Sequence, residues 1–184
     1  MDKAEHLRQA KILFASGQLK KSIAAFTRAE QSGCDTIDVW LSRGAAQMAL
    51  GKYHEAKEDF TRILEQDAEH ERAAYYRGVA LAALGEYENA IKDLTSALIK
   101  NNNRGIAHLV RGVAYAELGQ KQNAMLDINS ASAFSDAELT SFKNLFGDIP
   151  LPLQNTEALL AEENAPWNNL LSKEAAGKLL NLLQ

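Results

Sequence analysis

Four histidines, one cysteine and a short acidic run are the side chains of this sequence best suited to catalysis or metal binding. His6, His54, His70 and His108 never stand at metal-ligand spacing from one another or from a cysteine. His6 and His108 fall on one position of a repeating pattern described below, which favours packing over chemistry. Cys34 has no basic neighbour along the chain to lower its thiol pKa, and as the only cysteine it cannot form an internal disulfide. A reducing compartment, most simply the cytoplasm, fits that usage. The run Asp67-Ala68-Glu69-His70-Glu71 reads as a solvated turn. No glycine-rich phosphate loop, GxSxG or HExxH is present. The sequence therefore predicts neither catalysis nor a metal or cofactor.

A second set of charged residues is ordered. Arg43, Arg77 and Arg111 recur at one constant interval, and Asp59, Asp93 and Asp127 follow them at a second constant interval. Gln9 and Ala25 hold these places at the start of the chain, so both members are present three times and absent together once. A salt bridge across each helical hairpin is the simplest reading, since a partly buried charge needs its partner. An arginine row that binds acidic ligands is the functional alternative. Under the first reading, loss of Asp93 alone destabilises the fold by ~1–3 kcal/mol.

The elements that position these residues follow from the same period. Gly17, Gly51, Gly85 and Gly119 keep it, each between two apolar helical patterns, where a helix end needs a left-handed residue. Gly44, Gly78 and Gly112 precede the last three of them at a fixed offset, with Ala10 at that place in the first unit. Inside a helix such a glycine costs about 1 kcal/mol against alanine, which is tolerable where two helices must approach closely. Ala56, Ala90 and Ala124, with Ser22 before them, supply the facing small surface, followed by Phe26, Phe60, Leu94 and Ile128. Strong helix formers dominate from Met1 to Ser135, no proline precedes Pro150, and β-branched residues never alternate over a strand length. The chain is read as all-α, with helices over 3–16, 20–33, 37–50, 54–67, 71–84, 88–101, 105–118 and 122–134. Asp2 with Glu5 is expected to cap the first.

The 34-residue period with Trp40, Gly44, Ala56 and Phe60 resembles the tetratricopeptide repeat family over about residues 3–136, as four units. The resemblance implies a right-handed α-solenoid of helix-turn-helix repeats, with residues 137–184 as C-terminal capping helices and a leucine-rich tail. Two features depart from the family pattern. Arg43, Arg77 and Arg111 replace a frequent leucine, and Cys34, Ala68, Asn102 and Asp136 replace the closing proline. Looser unit boundaries, or a longer second helix, are expected from the latter.

In this family the first helix of each unit lines the concave face, and the resemblance implies a peptide-binding groove there. Carried over, the groove takes Leu7, Arg8, Lys11 and Phe14, then Leu41, Ala45 and Met48. It continues through Arg72, Tyr75, Tyr76 and Val79 to Leu109, Val110 and Val113. The rows Leu7, Leu41, Tyr75, Leu109 and Lys11, Ala45, Val79, Val113 make it largely apolar, with positive charge from Arg8, Lys11 and Arg72. The bland alternative is that some of these residues pack between neighbouring helices. An apolar strip suits an amphipathic helix or an apolar extended segment of another polypeptide. The clamp that grips acidic chaperone tails in some relatives is a poor fit, because its places hold Leu7, Lys11, Ser42, Arg72 and Tyr76.

The net charge of −4 argues against a nucleic-acid partner, and no run of about 18 apolar residues spans a membrane. After the fourth unit the period stops. Ser135 with Glu138 is expected to cap a helix over 137–146 ended by Gly147, Pro150 and Pro152 impose an extended stretch, and helices are read to about 164 and from Ser172 to about 183. The tail carries Leu159, Leu160, Leu170, Leu171, Leu179, Leu180, Leu182, Leu183 and Trp167. It is expected to occupy the groove, to cap the last hairpin, or to join copies of the chain into a homo-oligomer. The expected function is that of an adaptor or scaffold without enzymatic activity. The alternative is a structural subunit that self-assembles through the tail.

Overall fold

The computed structural model describes residues 3–132 of the chain as eight α-helices and the turns between them. They are α1 (Lys3–Ala15), α2 (Leu19–Gln31), α3 (Thr36–Ala49), α4 (Tyr53–Gln66), α5 (Glu71–Ala83), α6 (Tyr87–Lys100), α7 (Gly105–Glu117) and α8 (Lys121–Ser132). Their ends fall close to the ranges read from the sequence. Asp2 and the C-terminal helices read over 137–146, to 164 and to 183 lie outside the described residues. No described helix is long and apolar enough to cross a membrane.

The turn inside each unit is made by one device. Gly17, Gly51, Gly85 and Gly119 have φ between 70° and 76°, the left-handed region that a Cβ disfavours. Two backbone bonds close each helix there: Gly51 N donates to Met48 O and Lys52 N to Gln47 O, both at 2.9 Å. This double bond uses carbonyls that the helix end leaves unpaired. The turns between units differ. Gly33 repeats the left-handed device at φ 79°, whereas Asp67 and Asn101 accept from the backbone N–H of Glu69 and Asn103, two residues on. Such Asx turns end a helix without proline. The second helices stop at Gln31, Gln66 and Lys100, so the missing proline neither lengthens them nor loosens the boundary.

Successive helices pack side by side, first within a unit and then against the next unit. The first helices α1, α3, α5 and α7 also touch one another in order, and no comparable packing joins the second helices. That asymmetry places the first helices on the inner wall of a solenoid. One hydrophobic core runs through all four units, and Phe26, Phe60, Ile63, Leu94, Ile106 and Leu109 are among its fully buried members. Gly44 sits against this core: an added Cβ would lie 2.6 Å from Phe60 Cε1. At Gly78 it would lie 2.7 Å from Leu94 Cγ, and at Gly112 3.1 Å from Ile128 Cγ1. Gly44 and Gly78 therefore hold the two helices of their units at a separation that a larger residue would disturb, and Gly112 is only tightly fitted.

Candidate functional site

Between the units run three charged staples. Arg43 donates from Nε and Nη2 to the two oxygens of Asp59, each at 2.7 Å. Arg77 grips Asp93 at 2.6 and 2.9 Å, and Arg111 grips Asp127 at 2.6 and 2.7 Å. The third nitrogen of each arginine reaches out of its own unit. Nη1 donates to Thr27 from Arg43, to Thr61 from Arg77 and to Thr95 from Arg111, at 3.2, 3.3 and 3.0 Å. Each arginine thus joins both helices of its unit to the second helix of the unit before. The threonines keep the period of the arginines, a signal present in the sequence that the arginine–aspartate reading did not include.

The first staple is the most deeply set. The side chains of Arg43 and Asp59 are 7% and 4% exposed, whereas that of Arg77 is 24% exposed. A second carboxylate completes it: Glu30 accepts from Arg43 Nη1 and from Trp40 Nε1, both at 2.6 Å. Leu64 and Leu98 stand at the positions equivalent to Glu30 in the next two units, so no periodicity announces this partner. Burial pushes the Arg43 pKa down, but the bonds and charges of Asp59 and Glu30 outweigh it and raise the pKa above the ordinary arginine value. Burial likewise pushes Glu30 up, and the bonds from Trp40 and Arg43 overcome it, so its carboxyl sits below the usual glutamate range.

A folded-state pKa below the unfolded one makes a contribution that is fully present above the unfolded value and disappears as pH falls through the folded value. Glu30 should therefore stabilise the chain above about pH 4.5 and cease to do so in more acid solution. Urea titrations from pH 3 to 7 should show the stability gap between the native chain and Glu30→Gln closing on the acid side. A gap independent of pH would contradict the assignment.

At the last staple His108 Nδ1 lies 3.0 Å from Asp127 Oδ1, and Nε2 lies 3.3 Å from the carbonyl of Asn102. His108 is buried there, at the place that Trp40 occupies two units earlier. Cys34 lies in the turn after α2, where its thiol donates to the carbonyl of Lys3. No group of three histidine, cysteine or carboxylate side chains converges for a metal among the described residues.

The inner wall is not uniform. Leu7, Phe14, Leu41 and Tyr76 are half-buried, and Arg8, Lys11 and Arg72 are exposed. Ala45, Met48, Tyr75, Val79, Leu109, Val110 and Val113 are buried. Along the row Leu7, Leu41, Tyr75 and Leu109, burial deepens from partial to nearly complete. Two of the three cations are neutralised at short range: Arg8 forks onto Glu5, and Lys11 Nζ meets Asp38 at 2.6 Å, tying α1 to α3. The guanidinium of Arg72 stands 6.0 Å from the Tyr76 ring. Tyr76 stacks on Phe60 at 5.6 Å and touches Tyr75 at 4.9 Å. Arg104 covers the other tyrosine, 4.4 Å from its ring, while forking onto Glu71.

Known proteins supply an outside view of this geometry. The family model for the tetratricopeptide repeat matches residues 41–105. No curated protein matches the chain. Among solved structures, MamA (residues 41 to the end) from Desulfovibrio magneticus RS-1 is similar with a TM-score of 0.74 and 17% identity, over 99% of this chain and 96% of that one. MamA of AMB-1 aligns with a TM-score of 0.65 and 21% identity, over 77% and 79%. YrrB, described as a TPR protein with an unusual peptide-binding site, aligns with a TM-score of 0.64 and 19% identity, over 99% and 84%. At such identities the likeness is one of fold. Residues 41–105 carry the tetratricopeptide repeat, and the helical pairs on either side continue the same fold.

Proposed function

We propose that the chain is a non-catalytic, cytoplasmic scaffold whose inner wall captures an apolar or amphipathic polypeptide segment, and that its own tail, residues 137–184, is one such segment. The observation that carries this reading is the apolar lining of the inner wall. Leu7, Phe14, Leu41 and Tyr76 are half-buried along it, beside the buried Ala45, Met48, Val79 and Val113. An apolar wall of this kind suits an apolar or amphipathic segment. Each leucine buried by such a segment contributes ~1.5–3 kcal/mol before ordering costs. The peptide-binding site named for YrrB, a protein of the same fold, is consistent with this use of the surface.

A peptide of residues 149–184, offered to a chain ending at residue 148, tests the tail. Saturable binding that Leu41→Glu or Tyr75→Glu weakens at unchanged helicity supports the proposal. No binding, with the shortened array as stable as the full chain, removes self-occupancy. A mass that rises with concentration in light scattering would favour self-assembly through the tail.

A further inference from the structure

Away from the inner wall, the second and third units enclose a cleft of about 230 Å³ lined by Lys57, Thr61, Arg77, Leu81, Asn89, Lys92 and Asp93. Three of these side chains are cationic and one is a carboxylate. Lys57 Nζ is also held by Glu86 at 2.7 Å, in a pair that is about one third exposed on both sides. Lys92 is exposed and makes no ion pair among the described residues. Arg77 spends three of its five N–H groups on Asp93 and Thr61, which leaves two donors free. Even with Glu86 counted, the cleft keeps a positive surplus.

The repeat provides an internal comparison. The same places between the first and second units hold Ile23, Thr27, Arg43, Gln47, Glu55, Glu58 and Asp59. Between the third and fourth they hold Ile91, Thr95, Arg111, Tyr115, Asn123, Leu126 and Asp127. The threonine, arginine and aspartate are therefore the structural staple, common to all three junctions. The two lysines are not: they replace isoleucine at one place, and glutamate or leucine at the other. Nothing in the staple requires them: Arg77 is already matched by Asp93 and Lys57 by the half-exposed Glu86, so Lys92 is the added charge that these carboxylates do not balance.

We propose that this junction binds a compact oxyanion, a phosphate or carboxylate group, with Lys57 and Lys92 as its point charges and Arg77 and Asn89 as oriented donors. A phosphate group suits it better, because it offers enough acceptor oxygens to use all four side chains at once. The site lies on other residues than the inner wall, so this inference stands or falls independently of peptide capture.

The test is a 15N NMR titration of the full chain with inorganic phosphate at fixed ionic strength, with acetate and chloride in parallel. Phosphate should cause saturable shifts centred on Thr61, Arg77, Asn89 and Lys92. The double variant Lys57→Ile, Lys92→Glu, which installs residues already present at another junction, should keep its fold and bind about tenfold more weakly. Equal saturation by acetate would identify a carboxylate site. Linear shifts spread over all lysines, or a double variant that titrates like the native chain, would overturn the proposal.

Discussion

Replacing Asp59 by alanine should destabilise the chain by about 3–5 kcal/mol, the largest loss expected from any single charged residue here. The cost arises from what is left behind. Arg43 would keep its charge at a side-chain exposure of 7%, with its Nε and Nη2 donors deprived of their carboxylate. Glu30 offsets only part of this, because it bonds a different nitrogen and is itself shared with Trp40. Asp93→Ala should cost less, ~1–3 kcal/mol, because water can reach the more open Arg77. Urea unfolding of the two variants provides the ranking. The double variant Arg43→Met, Asp59→Leu should recover most of the loss, since a buried ion pair is often replaceable by well-packed apolar groups. Equal costs at Asp59 and Asp93, or a double variant as unstable as Asp59→Ala, would show that the depth of the staple does not govern its energetics.

Phe60→Ala should cost about 3–5 kcal/mol, the usual loss for a fully buried aromatic, and Gly44→Ala about 1–3 kcal/mol through overpacking. The second value is notable because alanine ordinarily improves a helix by about 1 kcal/mol over glycine. Here a methyl group would meet the Phe60 ring at 2.6 and 2.7 Å, well inside van der Waals contact. The helices must then separate, or the ring must leave its rotamer. Combining the substitutions should therefore cost less than their sum, because removing the ring makes room for the methyl group. Thermal unfolding of the two single variants and the double one measures that coupling. Strict additivity would mean that the glycine serves some purpose other than clearance. Gly112→Ala should be milder, since its nearest side-chain neighbour, Ile128 Cγ1, is 3.1 Å away.

Much of the fold was legible in the sequence because it rests on local physics repeated at a fixed interval. The turn glycines announce left-handed helix ends, and the facing small and large residues announce close helix pairs. Eight helices follow, with ends displaced by at most a few residues. The inter-unit turns were less legible. Asp67 and Asn101 end their helices through side-chain bonds to the backbone two residues on, and no apolar pattern encodes that.

By itself, then, the sequence determined the period, the helical pairs and the recurrence of arginine with aspartate, because each depends on residues within one unit. The tertiary structure decided everything that depends on neighbours from different units. It turned the arginine–aspartate pair into a three-way staple through Thr27, Thr61 and Thr95, and it brought Glu30 to Arg43. It gave Leu7 and Leu109, equivalent in sequence, very different exposures. It also gathered Lys57 and Lys92, from two different helices, around one cleft. Burial and charge proximity are properties of three-dimensional packing, and identical positions in successive repeats acquire different surroundings because their neighbours along the array differ.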